Sequence, residues 1–325
     1  MKGSRKMKKI FFSLSALLLM TLSACSNSET NNASTDVTSE QGEQLVPLKI
    51  GVMPSMDNIP LIVAHEQGFD QKHGVDLQIE AFKSGKDRDA AFQAGAVDGI
   101  NADLIGIAMY LQGGMDIKIT SATQGQFDLI ASSEVQDITD LKGQQIAVLK
   151  NQGPEFAAEE FIKQAGLSAS DVSMVDVPQV PSRVELLTND QAGAAILPEP
   201  FVTMTTAQGM TNLGSTLDLD INLFALTFTQ EVIEEKEAAI QGMYEAYNDA
   251  VKWMAANDQS AYIQLFIDEI GFPESLKENI QIPEYQEAFQ TKESDIQRAF
   301  DWAMEKGLLE KEIDPKDVLS NVYFK

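Results

Sequence analysis

From residue 47 onward, short apolar runs alternate with segments whose apolar positions recur at helical spacing. That alternation predicts an α/β fold with a largely parallel sheet. Residues 48–53 read as a strand and 60–69 as a helix, with Pro60 suited to its first turn and Gly68 near its end. A strand over 75–82 and a helix over 86–94 follow. Strands are expected at 99–102, 117–122 and 127–132, with a helix at 104–111 between the first two. The rhythm resumes with a strand at 145–149, a helix at 154–165 closed by Gly166, a strand at 172–177 and a helix at 181–187. A strand at 194–197, a helix at 199–207 and a strand at 224–228 complete it. Beyond that the chain reads as almost wholly helical. Ile240, Met243, Tyr244, Tyr247, Val251 and Met254 form a single apolar stripe at spacings of 3 and 4 with one step of 1.

Part of this pattern occurs twice. Val75, Leu77, Phe82, Arg88, Ala91-Phe92, Gly95 and Val97-Asp98-Gly99-Ile100 run in the same order as Val172, Met174, Val177, Arg183, Leu186-Leu187, Asp190 and Gln191-Ala192-Gly193-Ala194. All strand–helix–strand units share some of this spacing, but a repeated module with matched arginines points to two similar lobes. A groove between two lobes is a common place for a small ligand.

The first residues carry a different message. Lys2, Arg5, Lys6, Lys8 and Lys9 precede an apolar run over 10–22 that is too short for a membrane span of roughly 20 residues. This is the layout of a secretory signal. It ends in Leu22-Ser23-Ala24-Cys25, which resembles the bacterial lipobox, with the chain's single cysteine at the lipidated position. The resemblance implies cleavage after residue 24 and a diacylglycerol thioether on Cys25. Residues 26–46, rich in Ser, Asn, Thr, Glu and Gln, cannot build a core and read as a tether.

Composition narrows the chemistry. The chain has 325 residues, with 24 Lys and Arg against 49 Asp and Glu, a formal charge of −25. Loss of residues 1–24, which hold five basic residues and no acidic one, takes it to −30. So acidic a chain is ill suited to nucleic acid, and beside an anionic membrane only its anchor would hold it. One cysteine excludes an internal disulfide. The two histidines, His65 and His73, lack the spacing of a helical metal pair. Neither a P-loop, a Gly-x-Ser-x-Gly elbow nor a Rossmann glycine set is present. The reading is therefore no catalytic residue, no metal and no cofactor. Trp253 and Trp302 read as core.

Several short motifs, in order, resemble type II solute-binding proteins of ABC importers, in the nitrate/sulfonate/bicarbonate and thiamine-pyrimidine-like branch. They are Lys49-Ile50-Gly51-Val52, Asn58-Ile59-Pro60-Leu61, Gly74-Val75-Asp76-Leu77, Phe82-Lys83-Ser84-Gly85, Ala94-Gly95-Ala96-Val97-Asp98-Gly99, 141–148 (LKGQQIAV) and Ala195-Ile196-Leu197-Pro198-Glu199-Pro200. The resemblance covers about 47–220. It implies a periplasmic-binding-protein type II fold, with one lobe of 47–132 plus 224–325 and another of 133–223. Two hinge strands near 131–134 and 220–226 would join them. It also implies a monomeric, lipid-anchored, extracytoplasmic protein that captures a small polar solute, sulfonate-, nitrate- or taurine-like or pyrimidine-like, for a membrane permease and ATPase. The other functions the family fold allows are an enzyme of cofactor-precursor metabolism and a ligand-sensing surface lipoprotein.

In an open α/β sheet, ligands collect beyond the carboxyl ends of strands, and five loops qualify. Ser55, Met56 and Asn58 lie in the first, where Asn58 is either a ligand contact or the cap of the helix after it. Asp103 either caps the helix from Leu104 or accepts a hydrogen bond from ligand. Gln124 and Phe127 either frame a polar ligand or belong to a surface turn around Gly125. Asn151 and Gln152 open a helix whose free amides suit an oxyanion, though Glu155 already offsets the dipole there. Glu199 either faces the cleft, as the resemblance implies, or belongs to a rigid turn set by Pro198 and Pro200. If two or more of Asp57, Asp103, Glu155 and Glu199 face the ligand, a doubly charged anion is disfavoured and a neutral or amine-bearing molecule is favoured.

Overall fold

The computed structural model describes residues 45–324, so the expected signal, Cys25 and the tether up to residue 44 lie outside the described residues, whereas Val46, read as tether, opens the first strand and pairs with Val75. Two five-stranded sheets organise the chain. The first has the order β2-β1-β3-β10-β4. Its strands are β1 (Val46–Val52), β2 (Val75–Ala81), β3 (Gly99–Asp103), β4 (Ile117–Ala122) and β10 (Phe224–Thr229). The second has the order β7-β6-β8-β5-β9. It is built from β5 (Asp128–Ala131), β6 (Gln145–Val148), β7 (Ser173–Asp176), β8 (Ala194–Leu197) and β9 (Thr211–Ser215).

Each sheet has one strand running against its neighbours, β10 in the first and β5 in the second. Each is the strand by which the chain arrives from the other sheet. The strand read at 127–132 therefore pairs in the second sheet, Leu129 opposite Ile196 and Ile130 opposite Ala195, and not with the first sheet that precedes it. The outward crossing is at 123–127, earlier than the expected 131–134, and the return is at 220–223. The two crossings run side by side. Thr123 N–H donates to the Phe224 carbonyl at 3.0 Å, Asn222 Nδ2 to the Thr123 carbonyl at 2.7 Å, and the Phe127 and Phe224 rings lie 4.8 Å apart.

The principal helices are α1 (Ile59–Glu66), α2 (Gly85–Gln93), α3 (Leu104–Gln112), α4 (Gly153–Gln164), α5 (Val180–Thr188), α6 (Phe201–Thr206), α7 (Glu237–Ala256) and α8 (Glu293–Glu305). The sequence repeat is realised as β2–α2–β3 and β7–α5–β8. Its arginines do the same work in both copies. Arg88 Nη1 donates to the Asn101 carbonyl and Arg183 Nη1 to the Ile196 carbonyl, each at 2.7 Å and thirteen residues on. A guanidinium on each helix thus holds the carboxyl end of the next strand.

The apolar stripe of α7 is buried throughout and packs on α1 and the first sheet, with Leu48, Ile50, Leu61, Met243 and Tyr244 at the contact. A second core joins α3, α4 and α8 through Leu104, Ile107, Phe156, Phe161, Phe300 and Trp302. Among the described residues, no helix is long and apolar enough to cross a membrane.

The sequence reading errs in two further places. Strand β9 was not expected, since Thr-Asn-Leu-Gly-Ser carries no alternation; it forms at the sheet edge, where pairing along one side suffices. The stretch 257–292 is not a run of helix. It makes short 3₁₀ turns and one π turn, Phe266–Ile270, because Gly271 takes φ +91° and Pro273 and Pro283 interrupt hydrogen bonding. Phe266, Ile270 and Phe272 still pack against Ile59 and Val63 of α1.

Candidate functional site

A cavity of about 400 Å³ opens where the carboxyl ends of strands from both sheets converge on the crossings. One wall is the β1–α1 loop. Asp57, Asn58, Asn101 and Thr123 are all at most 4% exposed and form one polar cluster. Asp57 Oδ2 accepts from Asn101 Nδ2 at 2.6 Å and from Thr123 Oγ1 at 2.8 Å. Asn58 Oδ1 accepts from Asn101 Nδ2 at 2.8 Å, and Asn58 Nδ2 donates to the Met53 carbonyl at 2.9 Å. Asn58 therefore ties the loop together and makes no side-chain cap on α1. Ser55 reaches the cavity, whereas Met56 turns into the core beneath α1.

Asp103 closes the end of β3. Its Oδ1 caps α3 through the amides of Ile105 at 3.1 Å and Gly106 at 3.0 Å, and also accepts from Gly153 N–H at 2.9 Å. Gly153 begins α4 on the second sheet. One carboxylate oxygen thus sits between the amino ends of two helices, where both dipoles favour negative charge. Gly153 permits this approach: a Cβ there would lie 2.9 Å from Asp103 Cγ and 3.0 Å from Phe127 Cε2. Burial pushes the Asp103 carboxyl above its ordinary value, against the opposing pull of the amides.

Of the ten residues read as ligand contacts, Ser55, Asn58, Asp103, Phe127 and Gln152 line the cavity. Met56, Gln124, Asn151, Glu155 and Glu199 do not. Gln124 Nε2 donates to the Glu284 carbonyl at 3.0 Å, tying the crossing to the C-terminal segment. The Asn151 backbone N–H donates to Glu155 Oε2 at 2.7 Å, and Glu155 also meets Lys306 Nζ at 3.5 Å, so the Glu155 carboxylate is spent away from the cleft. Glu199 accepts from Thr203 N–H at 3.0 Å and Thr203 Oγ1 at 2.9 Å in the first turn of α6; burial raises its pKa. The oxyanion position expected at the start of α4 is filled by the protein's own Asp103.

The sequence reading missed the loops after β2 and β7, although they too lie at carboxyl strand ends. Lys83 comes from the first loop with Gly85 and Arg88 from the start of α2, and Pro178 from the second with Val180 and Arg183 from the start of α5. The repeated Arg88 and Arg183 were the signal that paired them. Arg183 is 2% exposed, and its guanidinium is held only by carbonyls: Val177 at 2.9 Å, Ile196 at 2.7 Å and Pro178 at 3.4 Å. Burial pulls its pKa down to about 10. Arg88 differs in having a carboxylate partner, Asp89, at 2.7 Å. Apolar side chains, among them Met53, Leu149, Phe201, Met204 and Phe224, supply the remaining walls, so the site offers an apolar body with few polar anchors. No His or Cys lines the cavity, and among the described residues no three His, Cys, Asp or Glu converge as a metal site.

Comparison with known proteins places this geometry in context. The model of the NMT1-like family matches residues 41–267. A Bacillus subtilis (strain 168) protein named for aliphatic sulfonate binding is 26% identical over 303 residues, covering 87% of this chain and 88% of its own. The alkanesulfonate-binding protein of Xanthomonas axonopodis pv. citri, solved with MOPS, superposes with a TM-score of 0.71 at 17% identity, covering 85% of this chain and 99% of that one. The periplasmic nitrate-binding protein of Synechocystis PCC 6803 gives 0.68 at 16% identity, with 84% of each chain covered. The structural likenesses carry the periplasmic-binding-protein fold of two α/β lobes.

Proposed function

The chain belongs to the NMT1-like family, and from that premise we propose that it is the extracytoplasmic substrate-binding component of an ABC importer. The sulfonate and nitrate specificities named for its relatives indicate the kind of task, capture of a small solute for a permease and ATPase. The observation that carries the reading is the cavity of about 400 Å³ lined from both sheets and flanked by the two chain crossings. We assign the lobes by sheet, the first around β1–β4 and β10 and the second around β5–β9, with the crossings as hinge. Closing such lobes on a solute removes it from water and changes the outer surface that a transporter meets. The lining has the groups of a binding site and lacks a nucleophile–base pair, so the solute is held without chemistry.

The basic, apolar and lipobox-like segments ending at Cys25 support secretion and a diacylglycerol anchor, with 26–44 as tether to a monomeric binding domain. Native mass spectrometry of gently purified protein, followed by calorimetric titration with sulfonates, nitrate, pyrimidines and amino acids, tests the function. One unmodified solute per chain is expected. Conversion of a bound solute to product contradicts the reading.

A further inference from the structure

We propose that Lys306, which lies outside the cavity, is a positioning residue for it: its ammonium holds Glu155, and Glu155 holds the loop 150–152 that places Gln152 on the lining. This deepens the solute-binding reading and rests on it only in taking this cavity as the site. The residues concerned come from both sides of the crossings. Helix α8 follows the return crossing and buries Ile296, Ala299, Phe300 and Ala303 in the core it shares with Leu104 and Ile107 of α3. Lys306, directly after α8, reaches over to the first turn of α4 on the second sheet. Its ammonium is itself anchored, paired with Glu159 and set 5.1 Å from the centroid of the Trp302 ring.

Glu155 works in two directions from a position only 6% exposed. Oε1 faces Lys306 Nζ at 3.5 Å, and Oε2 accepts from the Asn151 backbone N–H at 2.7 Å. Lys306 is its cation partner among the described residues. Without that partner a buried carboxylate is left with no counter-charge, which weakens its hold or neutralises it. The loop depends on the hold. Asn151 takes φ +60°, the left-handed region that a residue other than glycine keeps when its surroundings fix it. One residue earlier, Lys150 N–H is tied to Asp176 Oδ1 at 3.0 Å, so Asp176 fixes one side of the bend and Glu155 the other. Beyond the bend Gln152 lines the cavity and lies against α3, where a Cβ on Gly106 would stand 3.2 Å from its Oε1. Gly153 N–H then donates across to Asp103 at 2.9 Å. A contact made on the outer side of α4 thus decides where a residue of the cleft stands.

Amide hydrogen exchange of the full chain, resolved by NMR, tests this with no solute present. In the native protein the Asn151 amide should exchange about tenfold or more slower than in an unstructured peptide. Lys306→Met should speed that exchange about tenfold or more and shift the side-chain amide resonance of Gln152. Lys306→Arg, which keeps a charge within reach of Glu155, should return exchange to within about threefold of native. Glu155→Ala should speed it at least as much as Lys306→Met, since it removes the acceptor itself. A general loss of stability acts instead on the slowest amides, those of the buried strand β1. A rise shared equally by β1 and Asn151 therefore overturns the proposal, as does unchanged Asn151 exchange in a folded Lys306→Met protein. An unprotected Asn151 amide in the native chain also overturns it and needs no variant. Any of these failures leaves the solute-binding reading standing, and a solute seated elsewhere would leave the exchange results as they are.

Discussion

Arg183 is a buried cation whose partners are all backbone oxygens. Its value lies in the carbonyls it satisfies, two of them on the turn entering α5 and one at the end of β8. Arg183→Met keeps much of the volume and strands those carbonyls, so unfolding free energy in urea should drop by about 3 kcal/mol. Arg183→Lys should recover less than half, because an ammonium on a single stem cannot satisfy three divergent acceptors. Unchanged stability in Arg183→Met would show that the carbonyls find other partners. At this scale the sequence was legible where spacing is local or repeated. Arg88 and Arg183 could be matched from order alone, and Asp103 could be read as a helix cap. Its bond to Gly153 could not, because that partner lies fifty residues on and only the closed approach of two lobes brings it near.

Between elements, the clearest device is the grip of α8 on α4. Trp302 stacks edge-on against Phe156, with ring centroids 5.7 Å apart, and its Nε1 donates to Glu159 at 2.8 Å. Arg298 pairs with Glu160, and Lys306 pairs with Glu159. Burial opposes the charge on Lys306, but its glutamate partners outweigh that and raise its pKa. A helix near the chain's end is thereby fastened to the first helix of the second sheet. Trp302→Phe keeps the ring contact and removes one donor to a carboxylate. It should cost about 1–2 kcal/mol in urea unfolding, with far-ultraviolet circular dichroism unchanged. Wild-type stability would mean that Glu159 is served by Lys306 alone. Trp302 of α8 could be read as core, but not what it would cover. Likewise the short apolar run at β5 declared a strand without declaring its sheet, since β5 is buried on both faces and would fit either core. Strand β9 had too little pattern to be seen, because an edge strand with half-exposed residues needs no alternation.

For the whole molecule, the two-sheet division, the parallel strand order within each repeat and the placement of the site at carboxyl strand ends all follow from patterning. Which loops reach the cavity does not follow. Five of ten expected residues line the cavity; of the others, Met56 packs in the core, and Glu199, Gln124 and Glu155 are held by Thr203, the Glu284 carbonyl and Lys306. The cleft is the region where a small solute meets both lobes. A crystal structure of the protein with the solute it retains on purification tests this most directly. The account predicts density for one molecule between the sheets, within hydrogen-bonding distance of Asp103 and against Phe127. A solute seated on an outer face, with the cleft filled only by water, would contradict it.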